Sequence, residues 1–264
     1  MDDDVARNEG ADKEAPGMLE AAYAARYADL YARHWWWRAR EEIVVDEVGR
    51  IAEAWDGDRA ILDVGCGDGL IFPRLAQFGD VEGVEPDSRL VTGRSDHVIH
   101  TVPFEDFSPA RRYSLILMLD VLEHLENPIA ALHRCRELLE PDGRLVLTVP
   151  AFKALWTTHD DLNHHFTRYR KRTLRTVIDT AGLNLDDTRY LFHWVFIAKV
   201  GVRLIETFRR KSASLPAVPR GPANRALYRL CRLEDRLLGP LRLPFGSSLL
   251  AKCSVGSTPP PRSG

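Results

Sequence analysis

The sequence predicts an α/β fold: a mostly parallel sheet of seven strands, with helices on both faces. Three observations predict it. Short apolar runs of strand length alternate with helical stretches between residues 60 and 150. A glycine-rich string, Ile61-Leu62-Asp63-Val64-Gly65-Cys66-Gly67-Asp68-Gly69, joins the first of those strands to a helix. An acidic residue, Glu85, closes the next strand about 20 residues further on.

In chain order, residues 1–17 read as a solvated leader and 18–57 as an N-terminal helical lid, interrupted near His34. The α/β core is expected over 58–193. Its strands fall at 60–64, 81–85, 98–101, 114–119, 144–149 and 185–192, and its helices at 70–78, 88–93, 128–139 and 173–181. Pro141-Asp142-Gly143 reads as the turn before the fifth strand. Residues 151–170 form a loop rich in His, Asp and aromatics. A helical cap follows over 194–245, with helices at 194–210 and 223–238 joined by a Ser/Pro linker. The last strand is placed at 246–255, and the proline-rich tail 256–264 reads as disordered.

A chain of 264 residues suits one such domain with additions. Net charge is −2, which speaks against a general polyanion binder, so nucleic acid is not the expected partner. Cys66, Cys135, Cys231 and Cys253 form no C-x-x-C pair, so neither a zinc knuckle nor a disulfide framework is expected. An acidic start (Met1-Asp2-Asp3-Asp4) and the lack of a spanning apolar run point to the cytoplasm. Arg203, Arg209, Arg210 and Lys211 flank apolar residues, so weak membrane association through 194–220 is one expectation. A monomer and a homodimer fit equally.

The glycine string carries most of the functional reading. Gly65 and Gly67 allow a tight turn and close backbone approach, and the following helix start offers N–H groups to a polar ligand. The spacing is G-x-G-x-G, not the G-x-G-x-x-G that seats a pyrophosphate. Asp63 can accept hydrogen bonds from the loop or, through water, from an ammonium. Glu85 can take both hydroxyls of a ribose; Asp87 is the alternative, lying past the strand end.

Residues 60–150 resemble the class I S-adenosylmethionine-dependent methyltransferases, a Rossmann-like fold. Asp63-x-Gly65-x-Gly67-x-Gly69 matches their first motif and Glu85 their ribose-binding acid. Leu119-Asp120-Val121-Leu122-Glu123-His124-Leu125 is similar to the segment after their fourth strand. Leu138-Leu139-Glu140-Pro141-Asp142-Gly143-Arg144-Leu145 resembles the turn before their fifth. The flanks resemble a subgroup of bacterial methyltransferases, through His34-Trp35-Trp36-Trp37-Arg38-Ala39-Arg40, His165-Phe166-Thr167-Arg168-Tyr169 and Leu243-Pro244-Phe245-Gly246-Ser247-Ser248-Leu249. The resemblance implies an antiparallel last strand, S-adenosylmethionine as cofactor and a small-molecule methyl acceptor. It implies cofactor contacts at Arg40, Asp63, Gly65, Cys66, Gly67, Glu85, Pro86, Phe104, Leu119, Asp120 and His124. The chain departs from the pattern at Pro103, where the family often has an adenine-binding acid. Backbone groups and Phe104 are left to hold the ring.

For chemistry, the loop after the fifth strand offers His159, Asp160, Asp161, His164 and His165, followed by Arg168 and Tyr169. A histidine suits a general base, and a neighbouring Asp can orient it. His159, His165 and Tyr169 are the catalytic candidates. Asp120, Glu123 and His124 share one face of a helical turn and, with a later histidine, resemble a metal-holding string of ubiquinone-pathway and small-RNA methyltransferases; no metal is expected. Two alternatives stay open: a metal-dependent RNA 2′-O-methyltransferase, and a non-catalytic protein that keeps the cofactor pocket.

Overall fold

A computed structural model describes residues 28–57, 59–93, 96–157, 160–161, 163–206 and 217–255, without the side chains of 202–206. The expected leader, the proline-rich tail, His159 and the basic end of the 194–210 helix lie outside the described residues.

Seven strands form one sheet in the order β3-β2-β1-β4-β5-β7-β6. They are β1 (Ala60–Val64), β2 (Asp80–Val84), β3 (Val98–His100), β4 (Tyr113–Leu119), β5 (Leu139–Pro150), β6 (Leu183–Leu191) and β7 (Ser248–Val255). Strands β1 to β5 pair in parallel, while β7 runs antiparallel to both β5 and β6. The last strand is therefore the reversed one, as the resemblance implied, and the architecture is the Rossmann-like class I methyltransferase fold. Strand order changes direction between β1 and β4. In such a sheet the crevice at the carboxyl ends of the central strands is the ligand site.

Alternation within the strands builds the two covered faces. Ile116 and Met118 of β4 turn to one side, with Leu62, Val84, Leu145 and Leu147, under α3 (Pro128–Leu138) and α4 (Lys171–Thr180). Leu115 and Leu117 turn to the other, with Ile61 and Val146. There they meet Val44, Val45 and Val48 of α1 (Trp35–Ala52) and Phe72 and Leu75 of α2 (Phe72–Leu75). Helix α1 starts where expected: His34 breaks the chain from the helical residues 28–33, and its Nδ1 accepts from the Trp36 amide at 3.2 Å. Pro128 opens α3, and the Asn127 side chain caps it at the Ala130 amide.

The helical addition between β6 and β7 consists of α5 (His193–Glu206) and α6 (Gly221–Leu238). A third apolar cluster fastens it to the sheet, joining Ala39 and Ile43 of α1 to Leu191, Phe192, Val195, Cys231 and Leu250. Polar ties complete the seam. Asn224 accepts from the Trp35 amide at 2.9 Å and donates to the Arg33 carbonyl at 2.7 Å. The Glu234 carboxylate accepts from the His193 amide (2.6 Å), His193 Nδ1 (2.8 Å) and the Trp194 amide (3.2 Å), so it caps α5 from the side.

Three elements differ from expectation, among them the helix expected at 88–93, which is a single 3₁₀ turn, Ser88–Leu90. The helix expected at 70–78 is a single turn, Phe72–Leu75. Gly79 already lies against the Arg59 carbonyl, where a Cβ would come within 2.2 Å of that oxygen, so the chain must leave helical geometry early to enter β2. The turn expected at Pro141-Asp142-Gly143 sits inside β5. Leu139 pairs with Tyr113 and Arg144 with Leu115, so the intervening residues bulge out of register.

Candidate active site

The loop after β1 is held open by its glycines. Gly65 and Gly67 have φ of +71° and +54°, a region L-residues avoid. A Cβ on Gly67 would meet nothing within 4 Å, so this bend faces unfilled space. A carboxylate closes one side of it. Glu85 is buried; its Oε2 accepts from the Gly67 amide at 3.0 Å and its Oε1 from the Asp87 amide at 2.9 Å. Each oxygen keeps a lone pair for a further donor. Burial raises the Glu85 pKa against the pull of those amides. Asp87 is instead occupied with Arg89, accepting from its amide, Nε and Nη2. Asp68 ties the loop to the segment after β2, accepting from the Thr92 amide (2.7 Å) and hydroxyl (2.5 Å).

Asp63 ends up buried under the loop. Burial pushes its carboxyl up to about 7; nearby Arg40 opposes the shift and Glu85 adds to it. Arg40, also buried, reaches from α1 to the end of β4, where its Nε lies 2.7 Å from Asp120 Oδ2. Its Nη2 donates to Thr148 Oγ1 at 3.1 Å, and that hydroxyl donates to Asp120 Oδ1 at 3.1 Å. Asp120 itself adopts φ +57°. The Arg40–Asp120–Thr148 knot thus clamps α1, β4 and β5 together at the crevice.

A second cluster lies beside it. The short turn Leu122–His124 presents His124 toward His165, with rings 4.6 Å apart and edge to face. Desolvation and then the neighbouring His165 lower the His124 pKa. His165 Nδ1 lies 2.9 Å from Asp160 Oδ1. Asp160 is fully buried and is gripped by Arg168 through Nε (2.7 Å) and Nη2 (2.9 Å), with the Thr157 amide at 2.7 Å. Burial works against its charge, but the bonds from His165 and Arg168 outweigh it and hold the carboxyl well below the ordinary range. Glu123 is buried below His124, and burial, then the Asp120 charge, drives its pKa far upward. Tyr169 is buried too; its hydroxyl donates to the Leu122 carbonyl at 3.3 Å, and burial raises its pKa. From α5, Lys199 adds a charge that interacts with Arg168, Asp160 and Asp120; burial foremost lowers it to about 8.

The sequence-predicted residues thus fall into two neighbouring groups at one sheet edge. Asp63, Gly65, Gly67 and Glu85 form the cradle, with half-buried Cys66 donating from Sγ to the Gly67 carbonyl. Asp120, His124, His165 and Tyr169 form the second wall, with Leu119 half-buried at the end of β4. Phe104 is buried in the core cluster under β2, and Pro86 is exposed. The sequence reading missed Thr148 and Lys199, and the grip of Arg168 on Asp160. The first two lie 108 and 159 residues from Arg40, so no local spacing signals them. The expected trio of Asp120, Glu123 and His124 does not close around one point. Asp120 turns to Arg40, while Glu123, His124 and His165 bring a ligand atom each to within 4.8 Å of one another.

The chain is similar to known methyltransferases. Ubiquinone biosynthesis O-methyltransferase of Cereibacter sphaeroides is 38% identical over 96 residues, 33% of this chain and 39% of that protein. The enzyme of the same name from Azoarcus sp. is 27% identical over 142 residues, 47% of this chain and 60% of that protein. The chain therefore spans less than two thirds of these relatives. Among solved structures, an S-adenosylmethionine-dependent methyltransferase from Clostridium acetobutylicum superposes with a TM-score of 0.56, at 9% identity, over 90% of this chain and 100% of that one. The [4+2]-cyclase SpnF superposes at 0.59, at 15% identity, over 92% and 96%; both show the shared fold. A family model described as a methyltransferase domain matches residues 36–188, more than half of the chain, and so this chain belongs to the methyltransferase domain family.

Proposed function

We propose that this chain transfers the methyl group of S-adenosylmethionine to a small-molecule acceptor, with a hydroxyl oxygen as the best-supported target over nitrogen or carbon. The observation that carries it is the open bend at Gly67 with the Glu85 carboxylate beside it. The residues fit the cofactor. Glu85 keeps lone pairs for the ribose hydroxyls; Asp63 would take the ammonium of the amino-acid end, and Arg40, which acts electrostatically on Asp63, would supply positive charge while bracing Asp120. When bound, the cofactor supplies an already activated methyl on sulfur, so alignment of the acceptor does much of the work.

His165 is the base in this reading. Its Nδ1–H donates to the anionic Asp160, which leaves Nε2 with the lone pair that takes the acceptor's proton. Arg168 holds Asp160 in place, and Tyr169 positions the Leu122–His124 turn through the Leu122 carbonyl. Lys199 adds a positive charge on the acceptor side, favourable to a developing oxyanion. O-methyltransferases among the relatives favour oxygen. The deciding experiment incubates the protein with S-adenosylmethionine and a panel of hydroxylated, aminated and carbon-nucleophile acceptors, and reads mass. A gain of one methyl on a hydroxylated compound is expected. Cofactor binding without methyl gain on any acceptor sends the reading back to a non-methylating protein.

Affinity for S-adenosylhomocysteine should depend on pH. The buried Asp63 is neutral below its raised value of about 7, whereas an ammonium partner favours the carboxylate. Affinity therefore climbs as pH rises toward 7 and levels above it, with about a tenfold loss per unit on the acid side. Glu85, also raised, adds to the same slope at lower pH. Calorimetry across pH 5.5–8.5, a range of about three units, checks this, and Asp63→Asn should flatten the part near pH 7.

A second reading is favoured by the trio Glu123, His124 and His165, whose spacing suits a divalent cation that would hold acceptor oxygens. In that case His165 is a ligand and turnover stops with chelator. The RNA 2′-O-methyltransferase alternative, argued on Asp120, Glu123 and His124, would have to use His165 in place of Asp120, which pairs with Arg40.

A further inference from the structure

We propose that the outer face of α6 and the turn after it docks this protein onto an anionic lipid bilayer. Helix α6 divides its residues sharply. Its two acids point inward: Glu234 caps α5, and Asp235 pairs with Arg189. Arg232, also half-buried, pairs with Asp46 at 2.6 Å. The outward residues carry no carboxylate. They present Leu230, Leu233, Leu237 and Leu241, exposed by 44, 53, 62 and 65%. Beside that stripe run exposed Arg225, Arg229 and Arg236, with Arg220 before the first turn; Arg242, past the far end, pairs with Asp187 instead.

Leu230, Leu233 and Leu237 recur at helical spacing, so they form one ridge and not scattered surface residues. A row of arginines stands about a quarter-turn away on the same exposed half. Such a face, leucine beside arginine on a helix of low overall hydrophobicity, suits the plane of a membrane interface. The leucines enter the acyl boundary and the guanidinium groups meet lipid phosphates. Among the described residues no helix is long and apolar enough to cross a membrane, so the contact is peripheral. Charge argues against a second copy as the occupant. A two-fold contact through this ridge would set Arg225, Arg229 and Arg236 against their copies, with no carboxylate among the outward residues of α6 to offset them. This face, residues 220–242, is distinct from the 194–220 segment of the sequence expectation, whose basic side chains Arg203, Arg209, Arg210 and Lys211 lie outside the described residues. Ile197 and Val200 of α5 are exposed as well. The inference does not depend on methyl transfer.

Flotation of the full chain with vesicles tests it. Binding to phosphatidylglycerol-rich vesicles is expected, with little to pure phosphatidylcholine, and rising salt should release it. Leu233→Ser with Leu237→Ser should lower the bound fraction by about tenfold or more, and Arg225→Gln with Arg229→Gln by a similar factor. All four positions are solvent-exposed, so circular dichroism and S-adenosylhomocysteine affinity should not change; a variant that fails either check is replaced by the single substitution Leu237→Ser. Failure to float with anionic vesicles, or equal binding to neutral ones, overturns the proposal. So does a dimer in sedimentation velocity that the leucine variants abolish.

Discussion

Gly67→Arg should remove S-adenosylhomocysteine binding while leaving a folded protein. Two effects separate at this position. Any L-residue at φ +54° carries backbone strain of about 1–2 kcal/mol, which lowers stability modestly. The side chain then projects into open space, since a Cβ at Gly67 meets nothing within 4 Å, beside the Glu85 carboxylate that the Gly67 amide holds. An arginine there fills the cradle and pairs with the carboxylate needed for the ribose. Affinity is expected to fall by at least about a hundredfold, some 2.7 kcal/mol. Gly67→Ala is the matched control, since it bears the same strain and adds one methyl. Its affinity should fall far less, although its melting temperature should drop as much as that of the arginine variant. Glu85→Ala attacks the same site from the other side. Loss of hydrogen bonds to a charged acceptor, at about 1.5–3 kcal/mol each, predicts a fall of ten- to a hundredfold or more. Calorimetry with S-adenosylhomocysteine reads all three. If the arginine variant binds as the parent does, the cofactor lies elsewhere.

The cradle was legible in the sequence because it is local. Asp63, the glycines and Glu85 lie within 23 residues, and each is dictated by backbone geometry at a strand end. The strands were legible for a related reason. A central parallel strand is buried on both faces, so Ser114-Leu115-Ile116-Leu117-Met118-Leu119 reads as one apolar run. What spacing cannot show is which residues meet across the fold. Arg40 and Asp120 come together only when α1 lies over β4. His164 and His165, the two described histidines of the loop after β5, are told apart by one backbone angle. His164 takes φ +53° and is exposed, which turns the next residue, His165, inward onto Asp160. No pattern of residue types announces that reversal. The bulge in β5 escaped for the opposite reason: Pro141-Asp142-Gly143 carries the chemistry of a turn, and pairing of Leu139 with Tyr113 draws it into the strand.

His165→Ala should lower kcat by about a hundred- to ten-thousandfold and leave S-adenosylhomocysteine affinity unchanged. The cradle residues do not touch His165, so binding is spared; the lost step is proton removal from the acceptor. Added imidazole should restore part of the rate. Asp160 is a poorer target. Asp160→Asn strips the charge from a buried carboxylate that holds Arg168, and breaking a buried pair typically costs about 3–5 kcal/mol of stability. The partner variant that matters is His124→Ala. If His165 is a base, His124 is a neighbour in ring contact with it, and its loss should cost far less than the loss of His165. If both are ligands of one cation with Glu123, the two variants should fall together and chelator should reproduce them. Unequal losses with chelator-insensitive turnover assign His165 to proton transfer; equal losses with chelator-sensitive turnover assign it to the metal.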